Sequence, residues 1–131
     1  MNNLHQINQL AQQFTDQYYQ TFQPKMQRLN VINFYSPNCN AVYNGRLYQS
    51  QQGLQELFEK RFQMNDLQII PTSVNAAPAG DAIIISVLGK LIEPTQQINA
   101  LFSQTFLLVN DGQGNFSILS DIFSIDMNTM N

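Results

Sequence analysis

The chain has 131 residues, 44% of them hydrophobic, enough for one domain over residues 1–131 with an ordinary core. Its formal net charge is −3 and only 11% of residues are charged, with 33 Asn and Gln in their place. That balance argues against a general nucleic-acid binder, which needs a basic face, and Lys25, Arg28, Arg46, Lys60, Arg61 and Lys90 are too scattered for a polybasic membrane anchor.

Met1 to Leu10 carries no positive region and no long apolar core, so it reads as neither a secretory signal nor a transit peptide. No apolar run approaches the roughly 20 residues of a membrane span. Cys39 is the single cysteine and His5 the single histidine, which excludes an internal disulfide and leaves zinc without ligands. Cytosol or nucleus is the expected compartment.

Leu4, Ile7, Ala11, Phe14, Tyr18 and Phe22 recur at spacings of three and four, one stripe of an amphipathic helix. Pro24 should end it. A second, short helical stretch is predicted over Met26 to Asn33, with Met26, Leu29 and either Ile32 or Asn33 on one side. Tyr35-Ser36-Pro37-Asn38 reads as a turn. Asn40 to Tyr43 and Arg46 to Gln49 read as a hairpin about the type I′ pair Asn44-Gly45. Ser50 is a credible N-cap for a helix carrying Leu54, Leu57, Phe58 and Arg61.

From Leu67 the pattern is strand. Leu67 to Ala76 is interrupted by Pro71, which predicts an edge strand or a bulge. Pro78 to Asp81 is a turn, Ala82 to Ile92 a strand apolar on both faces, and Glu93 to Gln97 a loop. Ile98 to Val109 and Asn115 to Asp126 flank Asp111 to Asn115, which has hairpin chemistry. Helices followed by strands predict an α+β domain: a cone-shaped, curved antiparallel sheet covered by N-terminal helices. Leu101, Leu107, Ile118 and Ile122 are expected on the outer sheet face, an apolar surface that needs a partner. A dimer packed sheet to sheet follows, either with a second copy or with a different chain.

Phe14 to Phe22, with its paired tyrosines, Gly53 to Phe62, Ile83 to Leu91, Phe102 to Leu108 and Asp121-Ile122-Phe123 resemble the helices and strands of the nuclear transport factor 2 family, in order and spacing. The resemblance covers the whole chain. It implies a non-enzymatic carrier that takes GDP-bound Ran through nuclear pores, found in cytoplasm, nucleus and nuclear envelope. It implies a cavity at the cone mouth that receives an aromatic side chain, with Tyr43 as rim aromatic and Phe123 as cavity phenylalanine. The neighbouring family acid is Asn44 here, and the acidic loop retains only Glu93. Ile7 matches the family's contact to phenylalanine-glycine nucleoporins, while the dimer interface expected at Leu107, Ile118 and Ile122 rests on their outward strand positions. The small partner of the mRNA-export receptor shares the fold and also lacks the acids, so a heterodimer scaffold that does not bind Ran is the second reading.

No catalytic or metal-binding set is expected, and no cofactor. His5 sits near a terminus, Cys39 lacks a neighbouring base, and Asp16 belongs to a polar helix face. Asp121 is expected to organise the dimer or a rim hydrogen bond rather than act as a general base, and the Asp111 to Gly114 loop lacks the further acids of a calcium site.

Overall fold

The structure is a computed structural model and describes residues 4–62 and 65–126. Residues 1–3 of the stretch read against a targeting signal lie outside them. Helix α1 spans Leu4–Phe22 and buries Ile7, Ala11, Thr15, Tyr18, Tyr19 and Phe22. The predicted stripe thus holds except at its start, where Leu4 is 61% exposed. The Lys25–Phe34 segment is a 3₁₀ helix that buries Arg28 and Val31, while Met26 points to solvent. Its three-residue turn shifts the inward positions from those an α-helical reading gives.

Strand β1 spans Tyr35–Tyr43, so the turn expected at Tyr35 to Asn38 is strand. Pro37 is tolerated because the pairing with the last strand is irregular between Tyr35 and Asn40. β2 (Arg46–Gln49) pairs with β1 through Asn44 and Gly45, both at positive φ (52° and 83°), as a type I′ turn requires. Ser50 is not an N-cap. It opens α2 (Ser50–Glu56) with φ at 62°, and the flanking Gln49 makes no side-chain cap bond. A π-helical turn, Leu57–Arg61, continues α2 and buries Leu57 and Phe58.

Strands β3 (Gln68–Ala79), β4 (Ala82–Glu93), β5 (Ile98–Asn110) and β6 (Phe116–Asp126) form an antiparallel meander. Sheet order is β2-β1-β6-β5-β4-β3, which makes β3 an edge strand, and its register shifts between Pro71 and Ser73. Both expectations raised by Pro71 are met. The sheet is not wholly antiparallel, because β6 lies parallel to β1. The direction of a pair so far apart in sequence is set when the meander closes on the first hairpin, and no local pattern encodes it.

β4 alternates cleanly, with Ile83, Ile85, Val87 and Leu91 inward and Ile84 and Leu88 exposed. Between β5 and β6 the register slips, since Leu107 pairs with Ser120 but Leu108 with Ile118. That bulge turns Ile118 into the core, where it is 0% exposed, and removes it from the outer face on which it was expected. Among the described residues no helix is long and apolar enough to cross a membrane.

Candidate functional site

The hollow of the curved sheet is lined by rings. Tyr43, at the end of β1, stacks on Phe123 of β6 with centroids 4.9 Å apart and planes 25° from parallel. Phe123 also stacks on Phe102, at 5.7 Å. Phe62, just past the π turn, meets Tyr43, Phe123 and Phe22 edge-on. Tyr43 is 5% exposed, Phe62 6% and Phe123 1%. The two aromatics expected at a cavity are therefore brought together, but as a packed wall. Tyr43 is a core residue and not an open rim.

The other expected site residues have internal duties. Asn44 donates its backbone N–H to the Phe123 carbonyl and accepts from the Ile125 N–H through Oδ1, each at 2.8 Å. Glu93 accepts from the backbone N–H groups of Asn65 (3.0 Å), Asp66 (3.1 Å) and Thr95 (2.7 Å). Burial pushes its carboxyl up, but those N–H groups and that of Gln96 outweigh this and hold it below the usual carboxylate range. The carboxylate thus ties the Asn65–Asp66 segment to the turn that follows β4. Ile7 is 3% exposed and packs inside. Leu4, one turn earlier on α1, is the exposed apolar side chain there. On the outer sheet face Ile122 is 53% exposed, Leu88 52%, Ile84 40% and Leu101 38%, with Leu107 half-buried. A dent of about 250 Å³ lies there, lined in part by Leu88, Leu101, Ser103 and Ser124.

Beneath the wall lies a polar cluster that sequence reasoning missed. Asp121, on β6, accepts through Oδ2 from the hydroxyls of Tyr35 (2.5 Å) and Tyr43 (2.9 Å), and through Oδ1 from the Gln104 amide (2.9 Å). The Tyr18 hydroxyl lies 2.7 Å from that of Tyr35, to which it donates, and 3.2 Å from that of Tyr43. Tyr19 donates to the Gln104 carbonyl at 2.7 Å. All six side chains are buried. The available signal was the odd-numbered spacing of Tyr35, Cys39, Ala41 and Tyr43, one face of a strand, which Pro37 disguised.

Burial raises the Asp121 carboxyl to about 6, against the opposing hydrogen bonds of Tyr35, Gln104 and Tyr43. The folded value exceeds the unfolded one of 3.8, so this group stabilises the fold fully below that pH. The contribution is lost as pH rises through about 6, and amounts to about 3 kcal/mol for a shift of this size. Glu93 and Asp111 act in the opposite sense in acid, so the measurement is a difference. Urea melts of the chain and of Asp121→Asn should diverge between about pH 4 and 6, with stability falling faster in the unaltered chain. Parallel curves would show that Asp121 does not titrate there.

Catalytic constellations are not assembled from the other candidates. Asp16 is exposed and accepts from Gln12, Cys39 is buried with its thiol pushed up by desolvation, and Asp111 accepts from the N–H groups of its own loop. Among the described residues no group of three His, Cys, Asp or Glu could hold a metal ion.

The sequence model of the nuclear transport factor 2 (NTF2) domain matches residues 10–125. Nuclear transport factor 2 of Schizosaccharomyces pombe is 32% identical over 122 residues, covering 91% of this chain and 95% of its own. The solved structure of nuclear transport factor 2 from Cryptosporidium parvum superposes with a TM-score of 0.84 at 28% identity, covering 96% of this chain and 99% of that one. NTF2-related export protein 1 of Bos taurus is 26% identical over 121 residues, covering 86% of this chain and 84% of its own.

Proposed function

Because the chain belongs to the nuclear transport factor 2 family, we propose that it is a non-enzymatic nucleocytoplasmic transport factor that carries GDP-bound Ran, moving between cytoplasm and nucleus and touching phenylalanine-glycine nucleoporins at the nuclear envelope. The observation that carries this reading is the end-to-end likeness to a curated carrier, with identity spread over 91% of the chain. The Tyr43–Phe123 wall supports an apolar anchor, provided Phe62 yields to the incoming ring. Glu93 is spent on backbone N–H groups and Asn44 carries no charge, so few ion pairs orient the partner. Calorimetry at low and high salt should therefore find binding that prefers the GDP form and depends weakly on salt. Steep salt dependence would reveal acids at the interface that this reading omits.

The same internal use of Asn44 and Glu93 favours a second reading, a heterodimer partner or scaffold related to the export protein it resembles. Absence of binding in both nucleotide states selects it.

In either case we propose that the outer sheet face pairs with another chain, a second copy by preference. Ile122 and Leu107 stand with Ile84, Leu88 and Leu101 on one apolar surface, and Ile118 takes no part. Ile122→Glu should release monomers, at an association cost of about 2 kcal/mol or more. Light scattering checks it, and a monomeric unaltered protein at micromolar concentration would rule out self-pairing.

A further inference from the structure

We propose that Asp121 is a positioning residue whose ionised carboxylate, reached through three hydrogen bonds, fixes the Tyr43 ring against Phe123 and so sets the shape of the aromatic wall. The inference rests on the reading that this wall receives a partner's side chain.

The donors decide the charge state. Tyr35 and Tyr43 both give their hydroxyl protons to Oδ2, and Gln104 gives an amide proton to Oδ1 and to the Tyr43 oxygen at 3.1 Å. The Gln104 carbonyl is occupied by Tyr19, which keeps the amide in this orientation. Two hydroxyl protons and one amide proton thus converge on the Asp121 carboxylate. A neutral acid would need the Tyr35 or Tyr43 hydroxyl to reverse and accept its proton, which removes one of the bonds that hold the Tyr43 ring. The Tyr43 hydroxyl is thus pinned at the far end of the ring whose face meets Phe123.

Holding a charge here opposes stability, since burial is the largest influence on the Asp121 carboxyl. A residue needed only to fill this space could be neutral. The groups facing Asp121 are the Tyr18 hydroxyl and, through Gln104, that of Tyr19 from α1; the Tyr35 and Tyr43 hydroxyls and the Cys39 thiol from β1; and the Gln104 amide from β5. Desolvation raises every hydroxyl and the thiol, so the carboxyl is the member of the cluster that titrates near neutrality.

The first test needs no variant and no partner. In nuclear magnetic resonance of the free chain, the Asp121 carboxyl carbon and the Tyr43 and Phe123 ring signals should step together, with a midpoint near 6. Asp121→Asn, which carries the neutral shape, should abolish the step and show at about pH 7.5 the ring signals of the unaltered chain at low pH. Its affinity for GDP-bound Ran should fall about tenfold while its melting temperature holds or rises, a pairing that a purely structural role would not produce. Ring signals that ignore the carboxyl titration overturn the proposal, as does an Asn variant with unaltered rings. Coupled ring signals in a chain that binds no Ran leave the positioning role standing and remove only the carrier reading.

Discussion

Arg28→Met should lower folding stability by about 3–5 kcal/mol. Arg28 is 1% exposed, and its guanidinium donates to three backbone carbonyls: Phe22 and Gln23, each at 2.7 Å, and Phe62 at 3.2 Å. The first two close the C-terminal end of α1, whose last turn holds no basic residue of its own. The guanidinium also lies 5.1 Å from the Phe22 ring centroid and 5.6 Å from that of Phe62. Methionine keeps the stem volume but leaves three shielded carbonyls without this donor, at about 1–3 kcal/mol each, and loses two ring contacts. Relief of desolvation offsets part of this, because burial already lowers the Arg28 pKa to about 10, against a raising influence of Glu93. The offset is partial, since the guanidinium is sealed from water yet lies just under the surface. Urea denaturation measures the result, and a loss below about 1 kcal/mol would mean that water replaces Arg28 at the helix end. Lysine should rescue little, because one ammonium cannot span three carbonyls.

Gly89→Ala should cost about 3 kcal/mol or more. A Cβ at Gly89 would stand 2.2 Å from the Ile70 carbonyl oxygen, 2.6 Å from Cε2 of Phe102 and 2.9 Å from Cα of Pro71. Two of these atoms are backbone of β3 beside its bulge, so relief requires moving a strand rather than turning a side chain. Phe102 stacks on Phe123, so any shift is carried into the aromatic wall. The variant should melt early and show altered ring signals for Phe102, Tyr43 and Phe123. An unchanged melting temperature would show that β3 yields freely at the bulge.

The sequence by itself determined the helix of Leu4–Phe22, the hairpin at Asn44-Gly45, the edge position of β3 and the long last strand pair, because each rests on short-range chemistry: apolar period, positive-φ turn residues and a proline that cannot donate. Its likeness to one family was legible for the same reason, since order and spacing of elements survive in a linear text. Only the tertiary structure decided that β6 runs parallel to β1, that one bulge turns Ile118 inward, that Ile7 and Tyr43 pack inside, and that the Glu93 carboxylate accepts from backbone N–H groups. It alone gathered Tyr18, Tyr35, Tyr43, Gln104 and Asp121 into one cluster, across sequence separations of up to 103 residues between Tyr18 and Asp121. The physical reason is that a buried charge is tolerable only where several donors converge, and here they converge from α1, β1, β5 and β6, which only the assembled fold brings together.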